Sequence, residues 1–150
     1  MASTLFAVDG YRLAADRYYD RDTHLWVEIA GEARCGFDPL GSETAGDVVA
    51  LSFEPVGTEV ARGGAFGSLE AAKFVGPLIA PVSGTIKAHN PAVLANPGLV
   101  NQDPLEHWLI ALEPGRAGEE LPLLLRDRDL VRSWFRGEIE RFRQQGMVAE

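Results

Sequence analysis

The stretch 67–86, GSLEAAKFVGPLIAPVSGTI, constrains the fold more than any other part of the chain. Two short apolar runs of strand composition, 65–71 and 78–82, lie on either side of a single lysine, Lys73, and Gly76-Pro77 just after it is a turn signal. Runs this short and this close pair as a hairpin, which puts Lys73 at or near the tip. An amine held there, clear of any groove, is a poor general base. It is a good acceptor for an enzyme that must grip the whole tip and modify it, although a lone turn lysine is ordinarily no more than a solvated charge.

The surrounding chain reads as mainly β. His24 to Ile29 alternates as a strand, Gly31-Glu32 turns, and 33–37 returns as its partner. Asp38 can cap a short helix over 39–44, with Pro39 in the first-turn position where its missing N–H costs nothing, and Gly46 ends it. Further strands are expected over 48–53, up to Val60, over 85–89 and over 107–112, with turns at 55–57, Ser83-Gly84 and Asn96-Pro97-Gly98. Residues 5–19 give only a mixed pattern. After Pro114 comes a charged linker, then an amphipathic helix over 127–145 whose stripe is Leu130, Val131, Trp134, Phe135, Ile139 and Phe142, with Gly146 past its end. That stripe is expected to dock on the β core.

A chain of 150 residues suits one domain, and a domain of that size buries about 68–70 % of its unfolded surface without staples. Fourteen basic against 22 acidic residues, a net charge of −8, disfavours nucleic acid and anionic membrane as partners. The single cysteine, Cys35, can close no intrachain disulfide and reads as a small buried hydrophobe. No window reaches the roughly 20 apolar residues of a membrane span, so a soluble, cytoplasmic protein is expected. His24, His89 and His107 are too widely spaced for a short metal motif, Gly63-Gly64-x-x-Gly67 lacks the Lys-Ser/Thr of a phosphate loop, and no serine sits in a nucleophile elbow. Catalysis by this chain alone is therefore not expected.

Glu70 three residues before Lys73, Ala71 and Ala72 between them, and Ala80-Pro81-Val82-Ser83-Gly84 downstream resemble the lipoyl-attachment hairpin. Biotin carriers flank their lysine with methionines, whereas here the flanks are Ala72 and Phe74. Across 23–114 the order of His24-x-Trp26-Val27, Gly46-Asp47-Val48-Val49, Val56-Gly57-x-x-Val60-x-x-Gly63, Asn96-Pro97-x-Leu99-Val100-Asn101 and Trp108-Leu109-Ile110 resembles the H-protein of the glycine cleavage system and its relatives. The resemblance implies a flattened barrel-sandwich hybrid of two antiparallel sheets with the lipoyl hairpin at one end, a short helix near 38–45 and a C-terminal helix near 127–145. It implies a single carrier domain over 1–150, with its barrel at about 23–114 and an extension over 115–150. It also implies lipoic acid in amide linkage to Lys73, attached by a lipoate ligase or lipoyl transferase.

Two positions bear on the pathway. In the glycine cleavage pattern two acids receive the ammonium of the cargo, and here those positions are Leu25 and Pro77. Lys73-Phe74-Val75-Gly76-Pro77 instead resembles the lipoate-binding proteins of heterodisulfide-reductase-like sulfur oxidation. On that reading the arm carries sulfur or electrons, and the partners are a heterodisulfide-reductase-like complex and a dihydrolipoamide dehydrogenase. The alternative is a glycine cleavage carrier of an aminomethyl group, served by glycine decarboxylase and aminomethyltransferase. A third reading is a structural relative that is never lipoylated, against which Glu70 and the intact Ala-Pro-Val-Ser-Gly segment speak.

Overall fold

A computed structural model describes residues 4–148. The elements in chain order are β1 (Leu5–Val8), β2 (Tyr11–Ala14), β3 (Tyr18–Tyr19), β4 (Leu25–Ala30), β5 (Glu32–Phe37), α1 (Pro39–Ala45), β6 (Val48–Phe53), β7 (Glu59–Val60), β8 (Ala65–Ala71), β9 (Val75–Ile79), β10 (Gly84–His89), α2 (Pro91–Ala95), α3 (Leu99–Gln102), β11 (Ile110–Pro114), α4 (Ala117–Glu120), a 3-10 turn (Leu121–Leu123) and α5 (Arg128–Gln144). All strand pairs are antiparallel. A six-stranded sheet runs β3-β4-β5-β11-β10-β7 and a three-stranded one runs β6-β8-β9. Their inner faces share one core, with Val27, Cys35, Ile86, Ile110 and Leu112 from the first sheet and Leu51, Phe66, Leu69 and Leu78 from the second. This is the mainly β, flattened barrel-sandwich architecture that the sequence led us to expect.

A third, two-stranded sheet, β1-β2, lies outside that pair. It explains why residues 5–19 looked mixed: Phe6 and Val8 alternate inward while Leu5 and Ala7 face solvent, and Asp9-Gly10 forms the turn with both residues at positive φ. The hairpin joins α5 and the outer face of β4 in a second core of Phe6, Val8, Leu13, Trp26, Leu40, Val131, Phe135, Ile139 and Phe142. Strand β4 is thus buried on both faces, Leu25 and Val27 into the barrel and Trp26 into the second core.

Asp38 caps α1 as expected, its Oδ1 accepting from the Leu40 and Gly41 N–H groups at 2.9 Å each. The same grammar opens α2, where Asn90 caps ahead of Pro91; the sequence reading took this segment as a turn and missed α2 and α3. Asp127 caps α5 through Oδ1. Of the expected stripe, Val131, Phe135, Ile139 and Phe142 are buried, but Leu130 is 59 % exposed because it lies one position off the docked face. The helix docks mainly on the second core rather than on the barrel itself. Among the described residues no helix is long and apolar enough to cross a membrane.

Candidate functional site

The β8–β9 turn consists of Ala72, Lys73 and Phe74, closed by the Ala71 N–H donating to the Phe74 carbonyl at 2.8 Å. The expected turn at Gly76-Pro77 is not there: both lie inside β9, opposite Leu69 and Ser68. Pro77 is tolerated because β9 is an edge strand of its sheet, and Gly76 because the Phe74 ring folds back over the space a side chain would take. The tip is clamped from outside the hairpin. Ala72 N–H donates to the Asp47 carbonyl at 3.0 Å and Lys73 N–H to the Ala45 carbonyl at 2.9 Å.

Gly46 makes the clamp fit. Its φ is +79°, and a Cβ there would stand 3.1 Å from Lys73 Cγ and 3.3 Å from Lys73 N. The end of α1 therefore lies directly against the lysine stem, while the side chain is exposed and its amine has no hydrogen-bond or ion-pair partner among the described residues. Glu70 is exposed on β8, opposite Val75 and Ala50. The downstream motif is structural. Ala80 and Val82 are buried, and a side chain on Gly84 would strike the Glu113 carbonyl. Glu120 accepts from the Ser83 N–H and hydroxyl at 2.8 Å.

On one flank of Lys73 opens a cleft of about 350 Å³, whose walls include Leu25, Leu69, Phe74, Pro77 and Leu78 from the strands, Ala45 from α1 and Phe142 and Met147 from the C-terminal end. Its size falls in the range of about 300–1,000 Å³ typical of small-molecule sites, and its lining is mostly apolar. His24 borders it at a φ of +58°. Its Nδ1 lies 2.7 Å from Asp38 Oδ2 and its Nε2 2.8 Å from Glu138 Oε1, and its ring stacks on Trp134 at 4.9 Å. Burial pulls the imidazole down, but the Asp38 charge and the hydrogen bonds to Asp38 and Glu138 outweigh it, and the pKa rises to about 9. Hydrogen bonds from Arg141 first, then from His24, hold Glu138 below the usual carboxylate range.

This ion-paired bridge from β4 through α1 to α5 was missed in the sequence, since its members are 14 and 114 residues apart. His89 Nε2 reaches the Glu54 carbonyl at 2.7 Å, and no group of three or more His, Cys, Asp or Glu among the described residues is placed to hold a metal. Cys35 is fully buried in the barrel core, and that burial pushes its thiol up to about 12, far from thiolate chemistry.

An exposed lysine on a bend held by two backbone hydrogen bonds, beside a cleft, is the geometry that an acceptor of a covalently attached group requires. The model of the glycine cleavage H-protein family matches residues 17–133. The glycine cleavage system H protein of Corynebacterium jeikeium is 40 % identical over 113 residues, 71 % of this chain and 88 % of that protein. The probable glycine cleavage system H protein of Thermococcus kodakarensis is 32 % identical over 123 residues, 81 % of this chain and 91 % of its own length. A crystal structure of a glycine cleavage system H protein from Mycobacterium marinum superimposes with a TM-score of 0.69 at 30 % identity, covering 81 % of this chain and 98 % of that one. The chain belongs to the glycine cleavage H-protein family, whose members are lipoyl carriers and not enzymes, with lipoate held covalently on a lysine.

The assignment to sulfur oxidation is thereby overturned, together with its heterodisulfide-reductase-like partner: the relatives, at 32–40 % identity, are glycine cleavage H proteins. The stretch 73–77 misled for a physical reason. Leu25 is apolar because it is 2 % exposed in the barrel core, Gly76 lies under the Phe74 ring, and Phe74 and Pro77 are exposed at and beside the hairpin tip, so the apolar character of these residues names no cargo.

Proposed function

We propose that this chain is the H-protein of a glycine cleavage system, with lipoate in amide linkage to Lys73 carrying an aminomethyl group. The observation that carries the reading is the unpaired amine of Lys73 on a turn clamped by Ala45 and Asp47 beside an apolar cleft. Lipoate fits these residues: the amine is free to be acylated, and the cleft beside it suits an aliphatic chain ending in sulfur. When bound, the group supplies a dithiol that opens and closes by thiol–disulfide exchange. Lysine and lipoyl chain together reach on the order of 12–15 Å when extended. The protein's own part is to aim the amine outward, offer a dry wall on one side and leave the tip open to others.

The partners are those the family implies: a lipoate ligase or lipoyl transferase, glycine decarboxylase, aminomethyltransferase and a dihydrolipoamide dehydrogenase. The test is loading. The lipoylated chain, incubated with glycine labelled at its methylene carbon and glycine decarboxylase, is expected to take up label, and Lys73→Arg to take up none. Absence of label on a fully lipoylated wild-type chain overturns the reading.

A further inference from the structure

The stretch 96–101 belongs to neither the hairpin nor the apolar cleft, yet its last residue lies behind the clamp on the tip. Three successive carbonyls are shared out in turn. Ala45 accepts from the Lys73 N–H at 2.9 Å, Gly46 from Asn101 Nδ2 at 2.8 Å, and Asp47 from the Ala72 N–H at 3.0 Å. Asn101 Oδ1 also accepts from the Val48 N–H at 2.9 Å, and Nδ2 lies 3.4 Å from the Ser42 carbonyl. The side-chain amide thus spans Asp47 as the backbone of a neighbouring parallel strand would, donating to the residue before it and accepting from the residue after it.

The chemistry of the site fits an amide. The Val48 N–H requires an oxygen and the Gly46 carbonyl requires an N–H, which fixes the orientation of the Asn101 side chain; a carboxylate would set oxygen against oxygen at Gly46. Asn101 itself is well founded, half-buried on α3 next to Val100, which is fully buried in the barrel core. The segment it holds is the softer partner, because Gly46 sits at a φ of +79° and glycine moves readily among other conformations unless something outside fixes it.

Resting on the reading of Lys73 as the lipoyl acceptor, we propose that Asn101 is a positioning residue for lipoylation: by holding the Gly46 carbonyl and the Val48 N–H, it turns the Ala45 and Asp47 carbonyls to the hairpin tip and keeps Lys73 in the pose that the ligase grips. Asn101 makes no hydrogen bond to the Lys73 amine and acts only through this backbone. In the transfer the amine attacks the acyl carbon of lipoyl-AMP; the amide bond forms, the bond from that carbon to the phosphate oxygen breaks, and AMP and a proton leave. Without the hold the tip samples other poses. The ligase then binds only the correctly posed fraction, so its KM for the chain rises by the inverse of that fraction while kcat is kept.

The experiment uses the full unlipoylated chain, a lipoate ligase and lipoyl-AMP. Asn101→Ala, and the nearly isosteric Asn101→Asp, which keeps an acceptor for Val48 and loses the donor for Gly46, are expected to raise KM for the chain about tenfold with kcat within about twofold of wild type. Amide hydrogen exchange gives a readout that needs no lipoylation. In both variants the Ala72 and Lys73 amides should exchange about tenfold faster, while those of Leu109, which donates to Cys35, and Glu54, which donates to Phe66, keep their wild-type rates. In wild type alone, the Asn101 side-chain N–H protons should exchange about tenfold more slowly than those of exposed Asn96. An unchanged KM in both variants, or Ala72 and Lys73 amides that speed up only as much as Leu109 and Glu54, overturns the proposal, because Asn101 then serves stability alone. If neither variant folds, an Asn101 side chain that exchanges in wild type as fast as Asn96 overturns it. A wild-type chain that accepts no lipoyl group counts against the carrier reading alone, and the exchange rates still decide the role of Asn101.

Discussion

Replacing His24 by asparagine removes the imidazolium that ties α1 to α5, and its effect should depend on pH in a definite direction. Asparagine is the fitting probe because the residue sits at a φ of +58°, a conformation asparagine tolerates better than most. In the folded chain the His24 pKa rises to about 9, against about 6.5 for an exposed histidine. The raised value means that the folded state keeps a proton the unfolded state has already lost. The contribution is therefore fully present below pH of about 6.5, falls by about 1.4 kcal/mol per unit as the pH rises, and is gone above about 9, some 3 kcal/mol in all.

The groups that face the imidazole are Asp38 from the start of α1 and Glu138 from α5, with Arg141 behind Glu138. The assay is urea unfolding of wild type and His24→Asn at intervals between pH 6 and 10, followed by tryptophan fluorescence. The difference in stability should be largest at pH 6 and shrink by about 3 kcal/mol toward pH 9.5. A difference that stays flat across this range would refute the reasoning, because it would mean that His24 is neutral in the folded chain.

Gly46→Ala places a methyl group against the lysine stem at positive φ; it should cost about 1–3 kcal/mol in urea unfolding and slow lipoylation of Lys73. Phe135→Ala empties the centre of the second core and should destabilise by about 3–5 kcal/mol, with amide exchange rising first along α5 and β1–β2. Asp38→Ala removes a helix cap and leaves the His24 charge short of a partner, so a loss of about 3–5 kcal/mol at neutral pH is expected by the same unfolding assay.

Much of the barrel was legible because its signals are local. Asp38-Pro39 announced α1, the alternation over 24–29 announced β4, and the turn at Gly31-Glu32 placed β5 as its partner. Lys73 could be put at a hairpin tip from its flanks alone, although the turn proved to be Ala72 to Phe74 and the Gly76-Pro77 punctuation belonged to an edge strand. Two local signals were present but overlooked, the Asp9-Gly10 hairpin turn and the Asn90 cap ahead of Pro91. What could not be read is what the fold alone brings together. The cleft draws Asp22, Ala45, the hairpin residues Lys73 and Pro77, and Met147 from four separate segments, and the His24 bridge joins residues up to 114 positions apart. The pathway was misread for a related reason. A residue such as Leu25 satisfies the core and lines the cleft at once, so its apolar character says little about the cargo.

The most direct test of the central claim is peptide mass spectrometry of the chain after incubation with lipoate, ATP and a lipoate ligase. The claim predicts one lipoyl group per chain, carried by the peptide that contains Lys73 and absent from Lys73→Arg. A chain that stays unmodified, or that carries the group on Lys87 instead, would contradict it.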